Sequence, residues 1–222
     1  MRVLAISSQK GGSGKTTMAG HLAVQAERMG AGPVALIDTD PQGSLSDWWN
    51  ERQAETPVFV STYVSRLADD LERMRDAGIK MVVIDTPPAI TDTIADVVRV
   101  SDLIVIPTRP SPHDLRAAGA TVELVENLGK PLVFVINAAT PRARMTSEAA
   151  FALSQHGTVA PVIIHHRADF AASMIDGRTV MEITKLWEYI DSRLVPGQRK
   201  TIIPSSAAAP IQRQSFSVGT QH

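Results

Sequence analysis

Residues 9–17 read Gln9-Lys10-Gly11-Gly12-Ser13-Gly14-Lys15-Thr16-Thr17. They follow an apolar run, Val3-Leu4-Ala5-Ile6, with the composition of a buried strand. They open into a pattern that sets Ala19, Leu22, Ala23, Ala26 and Met29 on one helical face. Strand, glycine loop and helix in that order are the context in which a phosphate-loop string acquires a mechanism. Gly11, Gly12 and Gly14 let the backbone curl until several N–H groups point inward. A helix beginning near Lys15 adds the positive end of its dipole. Lys15 brings an ammonium to the outer phosphates of a nucleotide, and Thr16 offers a hydroxyl to a magnesium ion. The stretch reads as a cradle for a triphosphate.

The 222 residues, 44% hydrophobic and 20% charged, suit one globular domain able to bury a core. There is no cysteine, which excludes disulfides, thiolate metal sites and cysteine nucleophiles and fits a reducing cytoplasm, the expected location. No apolar run approaches the roughly 20 residues of a membrane span. The chain enters a strand at once, so no signal peptide is expected. With 22 basic and 23 acidic residues, any nucleic-acid binding must rest on a local patch.

Beyond the loop, strands and helices alternate. Residues 33–38 read as a second buried strand after a Gly30–Gly32 helix stop, ending in Asp38-Thr39-Asp40-Pro41-Gln42. Two carboxylates at the carboxyl end of a parallel strand lie where α/β sheets place ligands; a helix cap with a turn aspartate is the alternative. Residues 43–53 read as a short helix in which Trp48 and Trp49 point about 100° apart, so one packs inward. Residues 58–60 form a short strand, and Leu67, Leu71 and Met74 mark a helix closed by Gly78. Met81-Val82-Val83-Ile84-Asp85 is an apolar strand delivering one carboxylate, the Walker B pattern, followed by a stiff Thr86-Pro87-Pro88 turn.

A helix over 91–99 and a strand over 102–107 follow, then a constrained loop, Thr108-Arg109-Pro110-Ser111-Pro112. Leu115, Ala118, Val122 and Val125 give the next helix, and residues 132–137 a sixth strand ending in Asn137. A helix over 143–156, a strand over 159–164 and a helix over 168–176 are expected next. His165 and His166 point to opposite sides of an extended chain and make a poor metal pair. The stripe Val180, Ile183, Trp187, Ile190 and Leu194 reads as a closing amphipathic helix packed on the core. The pattern predicts a three-layer α/β domain over 1–195: a mostly parallel, twisted sheet of about seven or more strands with helices on both faces. Residues 196–222, with Ser205-Ser206-Ala207-Ala208-Ala209-Pro210 and three basic but no acidic side chains, are expected to be a disordered tail.

One departure from the general phosphate loop is informative. Gln9 stands where that motif has glycine, and Lys10 follows it. The form Lys-Gly-Gly-x-Gly-Lys-Thr-Thr resembles the deviant loop of the ParA/MinD family of ATPases, and the Asp38–Gln42 and Ile84–Pro88 stretches resemble its later motifs. The resemblance covers about residues 1–195. It implies ATP or ADP held by Lys10, Gly11, Gly12, Ser13, Gly14, Lys15, Thr16 and Thr17, with Asn137 on the adenine. It implies a magnesium shell of Thr16, Asp38 and Asp85, and catalysis by Lys10, Lys15 and Asp40, the last orienting the attacking water. Lys10 would reach the partner's phosphates across a homodimer that sandwiches two nucleotides. Thr86-Pro87-Pro88 resembles a switch loop sensing the γ-phosphate, and backbone near His165 would border the base.

The resemblance further implies a partition or positioning switch. An ATP-bound dimer would hold nonspecific DNA, and a ParB-like or cargo-adaptor partner would trigger hydrolysis. Arg142, Arg144, Arg167, Arg178 and Lys185 are the candidate DNA contacts, although residues 142–200 carry eight basic and six acidic side chains. A MinD-like membrane ATPase is the alternative, ranked lower because the segment after 196 carries Pro204 and Pro210 and few large apolar residues. A reductase partner of the same superfamily would need bridging cysteines, and the Asp-x-Asp-Pro-Gln motif disfavours a biotin-pathway synthetase. A slow nucleotide-binding scaffold is the non-enzymatic alternative.

Overall fold

The computed structural model describes residues 1–88, 92–167, 170, 172–173 and 183–194. Its strands are β1 (Arg2–Ile6), β2 (Val34–Asp38), β3 (Val58–Phe59), β4 (Met81–Asp85), β5 (Leu103–Thr108), β6 (Leu132–Ile136) and β7 (Thr158–Val159). They form one sheet in the order β3-β2-β4-β1-β5-β6-β7, every pairing parallel. The central strands are buried end to end, as near-continuous apolar runs require when both faces are covered.

Side-chain alternation divides the core in two. Leu4, Ile6, Leu36, Val83 and Val105 face one layer; Val3, Ala5, Ile37, Ile84 and Ile106 face the other. The first layer holds helices α1 (Lys15–Arg28), α2 (Ser44–Asn50) and α7 (Thr184–Arg193). The second holds α3 (Leu67–Asp76), α4 (Asp92–Val100), α5 (Pro112–Asn127) and α6 (Arg144–Ser154). β1 lies between β4 and β5, so the chain leaves it toward one edge and later fills the other. That switch point opens a crevice at the carboxyl end of β1, where the glycine loop sits.

α1 is the central helix. Every residue from Met18 to Ala26 is buried, a wider contact than the single apolar face expected from the sequence. Met29, expected on that face, is half exposed because the helix has already ended. Gly30 (φ 77°) closes it: the Ala31 N–H reaches the Ala26 carbonyl and the Gly30 N–H that of Glu27, the paired bonds of a Schellman stop. Trp48, fully buried, lies on Gly20. A Cβ there would stand 2.9 Å from the ring. Gly20→Ala should therefore destabilise by about 1–3 kcal/mol through overpacking, despite alanine's helix preference of up to about 1 kcal/mol. Urea unfolding checks the sign.

The elements expected over the described residues are present, with corrections at their ends. The strand over 159–164 is only Thr158–Val159; the chain then runs irregularly to a bridge between Ala139 and His165, because Pro161 cannot donate to a ladder. The strand over 58–60 keeps two residues, and the helix over 43–53 ends at Asn50. β5 starts after Asp102, whose carboxylate instead accepts the Val3 N–H at 2.7 Å. The closing helix begins at Thr184; Val180, Arg178, most of 168–176 and the tail from 195 lie outside the described residues.

Candidate functional site

The phosphate loop is held open by two left-handed glycines, Gly12 (φ 72°) and Gly14 (φ 95°). The Gly14 carbonyl accepts the Met18 N–H at 2.9 Å and starts α1. Lys15 follows with only 6% of its surface exposed. Burial lowers its pKa, while Asp85 and Asp40 oppose that by favouring the ammonium. Lys10 is exposed, and its backbone N–H reaches the Ser8 hydroxyl at 3.4 Å.

Register brings the acidic residues to this loop. Asp85 ends β4 opposite Ile6 of β1 on one side and Asp38 of β2 on the other. Thr39 fixes Asp85 from above through its N–H and hydroxyl, both on the Asp85 carbonyl at 3.0 and 2.6 Å. Thr86, buried, donates its hydroxyl to the Ile6 carbonyl at 3.0 Å and ties the Thr86-Pro87-Pro88 turn to β1.

The Asp85 side chain is buried, 1% exposed. Its Oδ2 accepts the Thr16 hydroxyl at 2.7 Å, and its Oδ1 has no hydrogen-bond partner among the described residues. Burial pushes its pKa up to about 7; the Thr16 bond opposes the rise, Asp38 adds to it, and Lys15 works against it. An orphaned buried carboxylate oxygen is costly unless a cation completes it. Among the described residues no three His, Cys, Asp or Glu side chains form a metal cage. One carboxylate beside one hydroxyl fits magnesium instead, which completes its octahedron with water and phosphate oxygens.

Asp38 and Asp40 are held differently. Asp38 Oδ1 accepts the Asp40 N–H at 2.9 Å, and its Oδ2 accepts the Leu45 and Ser46 N–H groups at 3.1 and 3.2 Å, tethering the first turn of α2. Burial raises the Asp38 pKa against those three bonds. The helix-cap alternative and the site position thus apply to the same side chain. Asp40 accepts the Gln42 N–H at 3.0 Å and faces Lys15 closely enough to favour its charge.

Beside the loop lies a cleft lined by Gly14, Thr17, Arg109, Asn137, His165 and Phe170 among others. Asn137 donates Nδ2 to the Ser13 carbonyl at 2.7 Å, so the side chain braces the phosphate loop and turns its amide oxygen elsewhere. A Cβ on Gly14 would stand 2.2 Å from that nitrogen, so only glycine fits there. Behind the cleft, the Ser173 hydroxyl donates to the Phe170 carbonyl (2.8 Å) and accepts from His21 Nε2 (3.0 Å), which fixes the His21 tautomer. Trp48 Nε1 donates to the Ser173 carbonyl at 3.1 Å. Burial, helped by Arg52 and Arg28, depresses His21 to about 4 and keeps it neutral. Sequence reading missed this brace because His21 and Trp48 lie 152 and 125 residues from Ser173.

The candidate DNA contacts are only partly gathered. Arg142 and Arg144 follow β6 and Arg167 follows β7; the Ala139–His165 bridge makes these neighbouring connections. All three are exposed, and Arg144 is paired with Glu148 at 2.8 Å. Lys185 is exposed on α7 in the other helical layer, and Arg178 lies outside the described residues.

Three comparisons bear on this site. The chain is 29% identical over 191 residues to the maintenance of carboxysome distribution protein A of Halothiobacillus neapolitanus, covering 81% of this chain and 87% of that protein. Its fold matches apo McdA of Cyanthece with a TM-score of 0.73 at 16% identity, over 88% of this chain and 100% of that one. It also matches a putative plasmid partition protein of Borrelia burgdorferi bound to AMPPNP, with a TM-score of 0.66 at 19% identity, over 86% and 97% of the two chains. Residues 4–180 match the family described as the CobQ/CobB/MinD/ParA nucleotide binding domain, and this parallel-sheet, phosphate-loop chain belongs to it.

Proposed function

We propose that this chain is a magnesium-dependent ATPase of the ParA type, whose ATP-bound dimer positions a cargo and is reset by hydrolysis. The observation that carries the reading is the Thr16–Asp85 pair beneath the glycine loop, with one buried carboxylate oxygen left over. Bound magnesium would neutralise charge on the outer phosphates; Thr16 and Asp85 would hold it, with Asp38 farther out. Lys15 stabilises the charge that develops on the transferred phosphoryl group. Asp40 orients the attacking water. Gly11, Gly12, Ser13, Gly14 and Thr17 supply the loop that surrounds the phosphates, and the Asn137 amide oxygen meets the adenine amino group.

Lys10 is the dimer-forming residue. It is exposed and its side chain makes no bond among the described residues, which leaves it available to a partner's site. Lys10→Ala should abolish ATP-dependent dimerisation while sparing ADP binding to the monomer. Light scattering with ATP and magnesium measures this, and mutant dimers forming normally would remove the cross-subunit role.

The cargo-positioning element draws on the carboxysome-distribution and plasmid-partition relatives. Nonspecific DNA is the proposed track, held by the exposed Arg142, Arg144 and Arg167, with Arg178 and Lys185 as further candidates, and a ParB-like or adaptor protein the proposed trigger. Gel shifts with ATP, ADP and no nucleotide test the track. Retention only with ATP, falling steeply with salt, is the expected result; retention independent of nucleotide or salt would defeat it.

A further inference from the structure

We propose that Arg109 is a phosphate-binding residue of the same subunit, a third cation on the nucleotide's phosphate chain beside Lys15 and Lys10. This rests on the nucleotide-binding reading of the site.

The backbone that carries it is stiff. Thr108 is buried at the end of β5. Ser111 donates its N–H to the Arg109 carbonyl at 2.8 Å. Ser111 also caps α5, its hydroxyl accepting the Asp114 N–H at 3.2 Å, and Pro112 occupies the first turn. Arg109 is thus clamped between a sheet strand and a capped helix, and only its side chain is free to move.

That side chain crosses to the phosphate loop. An Arg109 guanidinium nitrogen lies 3.6 Å from where a Cβ on Gly12 would stand, and Arg109 lines the cleft together with Gly14, Thr17 and Asn137. That is ordinary contact distance, so the guanidinium lies against the loop backbone at Gly12. Arg109 is exposed and has no carboxylate partner among the described residues, so no ion pair accounts for its position. It stands beside a loop that already carries Lys10 and Lys15, where a further unpaired cation is unfavourable until an anion arrives. A guanidinium presents several N–H donors in a plane and matches phosphate oxygens better than an ammonium does. The alternative use, stacking on the base, would make the contact with the nucleoside and not with its phosphates.

The test compares wild type, Arg109→Gln and Arg109→Lys by calorimetry with ADP and with pyrophosphate, both with magnesium. Arg109→Gln should weaken both ligands by about tenfold, and Arg109→Lys should recover part of that loss. The melting temperature without ligand should not fall, since the side chain makes no ion pair among the described residues and its charge is unfavourable there. Weakening of ADP alone, with pyrophosphate unaffected, would assign Arg109 to the base and overturn the proposal. Equal affinities in all three proteins would also overturn it while leaving the nucleotide site intact. Failure of wild type to bind ADP would instead remove the reading beneath it.

Discussion

Lys15→Gln should cut phosphate release from ATP by a hundredfold or more and leave the chain folded. The ammonium is placed and desolvated before substrate arrives, at 6% exposure, with Asp85 and Asp40 favouring its charge. A cation fixed where negative charge develops is worth far more than one in water, and removing one such group costs about 3–4 kcal/mol of transition-state stabilisation. Glutamine is shorter, with two methylenes in place of four, and ends in a neutral amide that supplies no charge. The fold should tolerate the change, because burial disfavours the Lys15 ammonium and a neutral amide escapes that penalty. Circular dichroism melting separates loss of chemistry from loss of structure. A folded variant that releases phosphate at the wild-type rate would end the assignment of Lys15.

The fold was readable because each strand declares itself locally. Val3-Leu4-Ala5-Ile6 and Met81-Val82-Val83-Ile84 are apolar on both faces, which is the signature of a buried parallel strand; the first leads into the glycine loop and the second ends in Asp85. The strand after α6 was misjudged for the converse reason. Residues 160–164 are apolar enough for a strand, but Pro161 and the edge position leave them without a full ladder. Apolarity reports burial, not pairing.

The phosphate loop and the three aspartates were legible because their chemistry is set by short spacings and strand ends. What was illegible depends on distance through space. Nothing near Arg109 in the chain shows that its guanidinium ends beside Gly12, almost a hundred residues earlier. The signal that existed was indirect: an arginine in a proline-stiffened loop just beyond a parallel strand, on the ligand-binding edge of the sheet. Nor could the pattern show that Asn137 spends its amide hydrogen on the Ser13 carbonyl, or that the dual fate of Asp38 joins α2 to the site. Helix geometry placed one of Trp48 and Trp49 inward without choosing between them; that it is Trp48, lying on Gly20, required the packing of α2 on α1.

Asp85→Asn should abolish hydrolysis, by a hundredfold or more, while making the ligand-free protein more stable above pH 7. The two effects share one cause. Asp85 is 1% exposed, with Oδ1 unpartnered, so its carboxylate is unfavourable until a cation reaches it. Its pKa stands at about 7 in the folded chain, above the ordinary 3.8. The sign follows directly. Between those values the folded protein holds a proton that the unfolded chain has released, so stability falls as pH rises from about 4 to about 7, then levels off. The full span is worth at most about 4 kcal/mol. Asparagine removes that loss but leaves a buried amide nitrogen in place of Oδ1, at a cost of about 1–3 kcal/mol. The net gain at pH 8 should therefore be at most about 1–3 kcal/mol, turning into a loss of about 1–3 kcal/mol near pH 4, where the wild-type carboxyl is itself neutral and only the amide cost remains. Urea titrations of both proteins across that range measure it, and added magnesium nucleotide should reverse the order by stabilising only wild type. A variant less stable than wild type at pH 8 without ligand would show that the Asp85 charge is already satisfied within the chain, and the magnesium assignment would lose its physical basis.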